Sequence, residues 1–307
     1  MSEQVSPERP LTSVSAGTRP ARDLHGMRVA VIGTGAMAEA IISGLLQRGI
    51  LTPADLIGSH PRSERAAELQ ARHGIEVVRD NAAAVRGAAV VLLAVKPQVL
   101  LRVLGELAGN LSPEALLVSI VAGASTEALA RASKHKAVVR VMPNTPAQIG
   151  AGVSVWFATG AVTAPGRDTV RCLLSALGTE VEVDEEAQVA MATAVSGTGP
   201  TYAFLFLESL VEAAVHLGFP RHLARRLVLE TARGSVEFAI QSGDHPAQLR
   251  DMVTSPGGTS AEAQAALERG RFRTVLADAV WAAYRRTLQL QSSIEAVAEA
   301  SVEPGQD

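Results

Sequence analysis

The chain has 307 residues, of which 47% are hydrophobic and 19% are charged, and its mean hydropathy is +0.19. This length predicts two domains, and the apolar content excludes a wholly disordered protein. A net charge of −3 excludes a globally basic surface for nucleic acid. The single cysteine, Cys172, excludes an internal disulfide and indicates a reducing compartment, for which we expect the cytoplasm.

The sequence contains no segment typical of a membrane protein. Residues 1–25 lack the apolar stretch of a secretory signal, and we expect a disordered tail there. The apolar runs at 88–95 and 115–124 are shorter than the roughly 20 residues that a membrane-spanning helix needs. We therefore expect neither a membrane nor a nucleic acid among the partners.

Short apolar strands alternate with amphipathic helices in the first half of the chain. The pattern predicts strands at 28–33, 55–59, 76–78, 89–95, 116–120 and 137–141, and helices at 36–48, 64–72, 99–108 and 126–133. The run at 89–95 is apolar at every position, which is typical of a strand covered on both faces. The alternation predicts an α/β fold with a Rossmann-type, doubly wound parallel sheet.

The second half of the chain is helical in pattern from about Glu185 to Gln291. Residues 202–217 are apolar nearly all round, and such a helix needs cover on every side, for which we expect a partner subunit. Pro220 is placed to begin a further helix, and 272–290 predicts a terminal one. We predict a disordered tail over 1–25, a dinucleotide-binding domain over 26–184, an all-α dimerisation and substrate domain over 185–293, and a flexible tail over 294–307.

A glycine-rich turn, with the sequence GTGAMA, follows the first predicted strand. Its first glycine permits a tight turn, its second lets a pyrophosphate approach the backbone, and the small Ala38 lets the helix pack on the strand. The helix N-terminus adds amides and partial positive charge for phosphates. The alternative is a plain tight turn. The residues predicted to bind the dinucleotide here are Gly33, Thr34, Gly35, Ala36 and Met37.

The residues after the second predicted strand bear on the choice of cofactor. An NAD enzyme usually places an acidic residue there for the ribose 2′-hydroxyl. Here Ser59 and Arg62 occupy this region, and no carboxylate occurs before Glu64. We therefore expect NADP(H), with NAD(H) as a further possibility, and with Ser59 and Arg62 at the 2′-phosphate. In the alternative, Arg62 is a solvated charge.

Two more loops are expected at the same edge of the sheet. The first follows the strand at 89–95 and contains the predicted cofactor-binding residues Ala94, Val95, Lys96 and Pro97. Lys96 either contacts the cofactor or caps this loop. The second, MPNTP, is stiffened by two prolines and directs Asn144 toward the cleft, unless it is an ordinary crossover loop.

A Pro-Gly-Gly turn interrupts the helical half within the sequence TSPGGTSAE, at 254–262. Thr259 and Glu262 predict a capping box, and the amides at the helix start offer a site for a carboxylate. The hydroxyls of Ser255, Thr259 and Ser260 add neutral donors. The alternative is a helix–turn–helix connection with a good cap.

The sequence SGTGP at 196–200 places two glycines before the most apolar helix, which indicates either a close approach of the backbone or a passive kink. The histidines and Cys172 lack the spacing of a metal site, so we expect no metal.

Five blocks of this sequence resemble the pyrroline-5-carboxylate reductase family, in the family's order. They are GTGAMAEAI, LAVKPQ, RVMPNTPAQIGAG, SGTGPTYAFLFLESL and DMVTSPGGTSAEAQAALERG, within about 27–291. The resemblance implies NAD(P)H-dependent reduction of 1-pyrroline-5-carboxylate to L-proline, the last step of proline biosynthesis, by hydride transfer to the imine carbon. It also implies a homodimer of interleaved helices, often assembled into a decamer.

The resemblance also assigns residues. Asn81 matches a family asparagine that contacts the adenosine ribose. The hydroxyl at Ser260, where relatives often have threonine, is implied to hydrogen-bond the ring nitrogen, which makes Ser260 the expected catalytic residue. Backbone amides of the turn are implied to hold the substrate carboxylate, and the expected substrate-binding residues are Ser255, Gly257, Gly258, Thr259 and Ser260.

Two rival interpretations remain at this point. A β-hydroxyacid dehydrogenase shares the two-domain layout but uses a lysine of the helical domain as acid and base. The three lysines, Lys96, Lys134 and Lys136, all precede that domain, which disfavours this interpretation. A catalytically silent dinucleotide-binding regulator would keep the GTGAMA turn and would not need the SPGGTS turn.

Overall fold

The structure is a computed structural model that describes residues 24–300. The tail predicted for 1–25 otherwise lies outside the described residues, but its last two positions belong to the fold. Leu24 is 1% exposed and packs in the core, and the amide of Met27 donates to its carbonyl. The amide of Gly26 donates to Asp55, so ordered structure begins before the predicted strand.

Two compact units divide the described chain. The sheet unit contains 24–200 and 280–300, and the helical unit contains 201–279. Residues 185–200, expected to open the helical domain, group with the sheet. The reason is that Val189 and Ala190 are buried where their helix packs on two strands of the sheet.

An eight-stranded sheet forms the centre of the sheet unit, and its class confirms the Rossmann-type prediction. The strands are β1 (Val29–Ile32), β2 (Leu56–Ser59), β3 (Glu76–Val78), β4 (Val90–Leu93), β5 (Leu116–Ser119), β6 (Val138–Met142), β7 (Gly152–Ala158) and β8 (Gly178–Glu182). Their order is β3-β2-β1-β4-β5-β6-β7-β8. The expectation of an all-parallel sheet is wrong at β7, which runs antiparallel to β6. The connection between these strands holds one 3₁₀ turn, Thr145–Ile149, and is too short for a parallel crossover.

Twelve helices accompany the sheet in the described residues. They are α1 (Ala36–Gln47), α2 (Ser63–His73), α3 (Asn81–Val85), α4 (Leu100–Leu107), α5 (Thr126–Ser133), α6 (Ala164–Ser175), α7 (Glu186–Ala192), α8 (Gly199–His216), α9 (Arg221–Ser242), α10 (Pro246–Met252), α11 (Thr259–Arg269) and α12 (Phe272–Ala300). Successive residues of β1 and β4 alternate between two apolar clusters, one on each face of the sheet. Burial on both faces explains why these strands are apolar throughout.

The last helix corrects the predicted C-terminal tail. We expected a flexible segment from 294 onward, yet α12 continues through Ala300. Ile294 and Ala298 are buried in the apolar cluster that also contains Leu104 and Leu129. Their four-residue spacing places both on one face of the helix, and this burial extends the helix beyond the predicted end. Residues 301–307 lie outside the described part of the chain.

An ion pair between a buried arginine and a partly buried glutamate joins several elements of the sheet unit. Arg140 of β6, whose side chain is 4% exposed, donates to Glu186 of α7 at 2.8 Å. It also donates to the side chain of Gln291 on α12 at 3.3 Å. Glu186 in turn accepts from the amide and the hydroxyl of Thr126, at the start of α5, at 2.8 and 2.5 Å. Because each charge is hydrogen-bonded, neither is left uncompensated in the core.

The helical unit leaves large apolar side chains uncovered within the single chain. Phe204, Leu205 and Leu217 of the α8 region are 62%, 62% and 83% exposed, although the sequence here predicts a helix buried on every side. The facing surfaces of α8 and α9 form an apolar groove that includes Phe206, Leu210, Leu227 and Val236. An exposed apolar surface of this kind marks an interface. Among residues 24–300, no helix is both long enough and apolar enough to cross a bilayer.

Candidate active site

The glycine turn between β1 and α1 has the geometry expected of a phosphate-binding loop. Gly33 has φ of +83°, and a Cβ at this position would lie 2.6 Å from Cγ1 of Val95 and 3.0 Å from the carbonyl oxygen of Ala94. Glycine is therefore required by both backbone conformation and space. The amide of Gly33 donates to the carbonyl of Ser59 at 3.2 Å, which fixes the turn to the end of β2.

The start of α1 leaves room and donors for a dinucleotide. A Cβ at Gly35 would have no neighbour within 4 Å, so the space above this backbone is open. The first helical hydrogen bond of α1 runs from the amide of Glu39 to the carbonyl of Gly35. The amides of Ala36 and Met37 lie before it and have no acceptor within the helix. Ala38 is buried, as packing of helix on strand requires. These features fit a pyrophosphate.

Thr34 contributes a second observation at this turn. It is fully buried, and its hydroxyl is among the buried polar atoms without a hydrogen-bond partner. Its carbonyl accepts from Nε of Arg65 on α2 at 3.4 Å. The hydroxyl therefore faces the interior of the protein, while the backbone of Thr34 belongs to the turn.

An ion-pair network holds α2 against the start of α1. The Glu39 carboxylate accepts hydrogen bonds from Arg65, from Arg72 at 2.5 Å and from His73 at 3.2 Å. Burial raises the pKa of the Glu39 carboxyl, but the hydrogen bonds from Arg65, His73 and Arg72 outweigh it and lower this pKa to about 2. Because Arg65 also contacts Thr34, this network positions the glycine turn.

The residues at the end of β2 and β3 form a hydrogen-bonded group. The buried hydroxyl of Ser59 donates to Oδ1 of Asn81 at 2.6 Å, so its proton is engaged within the protein. Nδ2 of Asn81 donates to Oε2 of Glu106 on α4 at 2.6 Å. Arg62 occupies the N-cap position of α2 without a side-chain cap, its side chain is exposed, and its backbone amide donates to His60. Arg62 is thus the accessible cation of the predicted 2′-phosphate pair.

The two loops that follow β4 and β6 differ in what they expose. Ala94 and Val95 pack beside Gly33, and Pro97 opens a 3₁₀ turn. Lys96 makes no side-chain cap for that turn and is exposed, so the capping alternative is wrong. Asn144 is 9% exposed; its Oδ1 accepts from the amide of Val153, and its Nδ2 donates to a backbone carbonyl.

The loop after β6 and the SGTGP segment contact each other through Asn144, which donates to the carbonyl of Ser196 at 3.1 Å. Residues Thr193–Gly197 form a π-helical turn, and such turns are frequent at functional sites. A Cβ at Gly197 would lie 2.7 Å from Cε of Met142, which confirms a close approach at this glycine. Gly199 has no such neighbour, so its predicted close approach does not occur within the chain.

The SPGGTS turn lies in the helical unit and presents exposed donors. Gly257 has φ of +69°, and a Cβ at Gly258 would collide with Oγ of Ser255. The predicted capping box is wrong: Gly258 occupies the N-cap, and Thr259 is already the first helical residue. Thr259 and Ser260 therefore contribute their backbone amides to the open end of α11, and both are exposed, as a ligand site requires.

Three residues that support this site were not predicted from the sequence. Glu39, Arg65 and Glu106 reach it from helices, through contacts made in the tertiary structure. A charge pattern of i,i+3 and i,i+4 pairs, Arg65 with Glu68 and Arg102 with Glu106, is visible in the sequence, but it gives no information on the third partner. In the described residues, no group of three or more His, Cys, Asp or Glu side chains is arranged to hold a metal ion.

Comparison with protein families gives two matches. Residues 186–290 match the family described as pyrroline-5-carboxylate reductase dimerisation. Residues 28–123 match a family described as NADP oxidoreductase, coenzyme F420-dependent. The two matches correspond to the helical segment with the SPGGTS turn and to the segment with the glycine turn.

Curated proteins and solved structures resemble nearly the whole chain. The pyrroline-5-carboxylate reductases of Synechocystis and Pseudomonas aeruginosa are both 40% identical to it, over 86% and 87% of this chain and 98% of each relative. The pyrroline carboxylate reductase of Plasmodium falciparum, solved with NADP bound, is 30% identical, with a TM-score of 0.80 over 87% of this chain and 98% of its own. The enzyme of Coxiella burnetii is 32% identical, with a TM-score of 0.78 over 86% and 98%.

Proposed function

The chain belongs to the pyrroline-5-carboxylate reductase family, and from this premise we propose that it reduces 1-pyrroline-5-carboxylate to L-proline with NADPH. The observation that carries the proposal is the presence of two turns in one chain. The glycine turn at Gly33 has the room and donors for a pyrophosphate, and the open end of α11 has donors for a carboxylate. The regulator interpretation would not require the second turn, and the dehydrogenase interpretation would require a lysine in the helical segment, where this chain has none.

We assign the substrate carboxylate to the amides and hydroxyls of the SPGGTS turn. A helix N-terminus binds an anion without a cationic side chain, which suits a substrate that also carries a positive iminium nitrogen. Ser255, Thr259 and Ser260 supply the neutral donors, while Gly257 and Gly258 let the backbone turn. Of these residues, Ser260 is assigned to the ring nitrogen.

Catalysis by this arrangement is mainly positioning. When bound, the reduced nicotinamide supplies the hydride that is added to the imine carbon. Because the imine nitrogen is protonated when it binds as an iminium ion, no side chain has to act as a strong acid. The hydroxyl of Ser260 orients that nitrogen, and the turn holds the carboxylate. Positioning of this kind contributes up to roughly 7–11 kcal/mol.

The dinucleotide is assigned to the sheet unit. The pyrophosphate is proposed to lie on Gly33, Thr34, Gly35, Ala36 and Met37. The 2′-phosphate is assigned to Ser59 and Arg62, and the adenosine ribose to Asn81. The nicotinamide is assigned to Ala94, Val95, Lys96, Pro97 and Asn144. The buried Ser59 and Asn144 support these contacts through their neighbours, because their hydrogen-bonding groups are engaged within the protein. NADH is the alternative donor.

The activity is tested by following oxidation of NADPH with 1-pyrroline-5-carboxylate as the only added substrate, and then with NADH. We expect turnover with both and a higher kcat/KM for NADPH, in line with Arg62. Absence of turnover in protein that binds NADPH would reject the assigned substrate. A preference for NADH would reject the assignment of Arg62.

We further propose a homodimer formed through the helical segment, with dimers assembling to a decamer in the cytoplasm. The uncovered apolar groove of α8 and α9 supports the dimer, and the single, buried Cys172 suits a reducing compartment. Functionally, we assign residues 26–184 to the dinucleotide and 185–293 to dimerisation and substrate. Light scattering separates a dimer from a decamer, because the chain mass is 32.0 kDa.

A further inference from the structure

Four side chains form a continuous hydrogen-bonded series at the ends of β2 and β3, here called the Ser59–Glu106 cluster. Ser59 donates to Oδ1 of Asn81, and Nδ2 of Asn81 donates to Oε2 of Glu106, each at 2.6 Å. Arg102, one turn earlier on α4, donates to the other oxygen of Glu106 at 2.5 Å. The series links the end of β2, the start of α3 and the last turn of α4.

The cluster lies at the end of β2, the position at which Rossmann-type folds bind the adenosine ribose. The backbone of Ser59 accepts from the amide of Gly33, so the cluster adjoins the glycine turn. In dinucleotide-binding folds, an acidic residue about 20 positions after the turn bonds the ribose 2′-hydroxyl. This chain has no acidic residue at the end of β2, and the carboxylate that is hydrogen-bonded into this edge, Glu106, comes from α4 instead.

Glu106 determines the orientation of the Asn81 amide. An ionised carboxylate accepts hydrogen bonds and cannot donate them, so Asn81 must turn its NH₂ group toward Glu106. Its carbonyl oxygen then faces Ser59, whose hydroxyl donates to it. An amide nitrogen carries two hydrogens, and Glu106 takes one of them. Asn81 is half-buried, and its side-chain hydrogen-bond partners in the described residues are Ser59 and Glu106, so its second N–H remains available as a donor.

We propose that Glu106 is a positioning residue for the dinucleotide, acting through Asn81. By holding the amide in one orientation, it presents an N–H donor to the acceptor oxygens at the ribose 2′ position, of the ribose itself or of a 2′-phosphate. Without Glu106, the amide is free to rotate and to present its carbonyl, which repels such oxygens. The inference rests on the proposed dinucleotide binding and does not involve the imine.

Substitution of Glu106 separates this role from general stability. In Glu106→Ala, we expect the dissociation constants of NADPH and of adenosine 2′-phosphate to rise about fivefold, the loss expected from one misplaced hydrogen bond. Reduced nicotinamide mononucleotide lacks the adenosine half and should bind as to wild type. In Glu106→Gln, Arg102 can only donate and therefore holds the side-chain carbonyl, which turns the new NH₂ group toward Asn81. The Asn81 amide then loses its fixed orientation, and NADPH binding should weaken about as much as in Glu106→Ala. In turnover, the KM for NADPH should rise while kcat stays near wild type.

A double-mutant cycle tests whether the effect passes through Asn81. In an Asn81→Ala background, Glu106→Ala should have no further effect on NADPH binding. The matched control is Glu127→Ala, because Glu127 forms the same i,i+4 pair with Arg131 at 2.6 Å and is 80% exposed. It should leave binding unchanged.

Three results would overturn the inference: unchanged NADPH binding in Glu106→Ala, unchanged NADPH binding in Glu106→Gln, or a full loss that persists without Asn81. Failure of the wild-type protein to bind NADPH would instead refute the proposed function.

Discussion

The ion-pair network at Glu39 predicts a measurable loss of stability. Its carboxyl pKa falls from an ordinary 4.5 to about 2 in the fold, where Arg65, His73 and Arg72 surround it. This difference corresponds to ~3 kcal/mol of folding free energy at pH 7. The Glu39 side chain is 17% exposed, so solvent screens the network only in part. We therefore expect Glu39→Gln to lower the free energy of unfolding by roughly 2–3 kcal/mol at pH 7.

The stability that Glu39 contributes depends on pH. Because the folded pKa of Glu39 is depressed, its contribution is fully present above pH 4.5 and is lost as the pH falls toward about 2. The difference between wild type and Glu39→Gln should shrink by about 1 kcal/mol at pH 4 and by about 2 kcal/mol at pH 3.

Urea unfolding followed by circular dichroism, at pH 7 and at pH 4, measures both quantities. Glu68→Gln is the matched control, since Glu68 also pairs with Arg65 but is 59% exposed, and it should cost less than about 1 kcal/mol. Equal losses in the two variants at pH 7, or a Glu39 effect that does not change between the two pH values, would refute the reasoning.

Three further predictions concern binding, chemistry and assembly. Gly33→Ala places a Cβ against Val95 at a strained, positive φ, and NADPH binding measured by calorimetry should weaken at least about tenfold. The control is Gly105→Ala on α4, where a Cβ has open space and NADPH binding should stay unchanged. Ser260→Ala should lower kcat about tenfold through loss of one oriented hydrogen bond, with NADPH binding retained; unchanged steady-state kinetics would remove Ser260 from the mechanism. Leu210→Asp places a charge in the apolar groove and should shift the light-scattering mass toward 32.0 kDa, and an unchanged mass would exclude the groove as the interface.

Much of the sheet unit was predictable because a strand that is buried on both faces is a continuous apolar run in the sequence. The six strands β1 to β6 are apolar runs bounded by turns, and each was predicted within a few residues. The strands β7 and β8 were missed, although the run GVSVWFA is rich in β-branched and aromatic residues. Its antiparallel direction depends on the length of the connection after Met142 rather than on the strand itself.

The parts of the site that are formed by one short segment, such as the two glycine turns, were predictable from the sequence. The contacts between segments that are distant in the sequence were not. Gly33 and Gly257 have the positive φ values that their turns require. By contrast, Asn81 and Glu106 are 25 residues apart, and their contact exists only because α3 packs beside α4. The capping box failed for a different reason: the pattern Thr259 to Glu262 fits a cap, but α11 begins one residue earlier than that pattern implies.

The buried pair of Arg140 and Glu186 constrains how this chain can diverge over evolutionary time. Loss of Glu186 leaves the Arg140 guanidinium, which is 4% exposed, without its carboxylate, at a cost of about 3–5 kcal/mol, which is a large part of the stability of a typical domain. Loss of Arg140 costs less, because the Glu186 side chain is 23% exposed and is solvated in part. A lineage that loses Glu186 first passes through a poorly folded intermediate, which selection removes. Descendants should therefore keep both residues or replace both, and the two positions should covary together with the Thr126 position that shares the carboxylate.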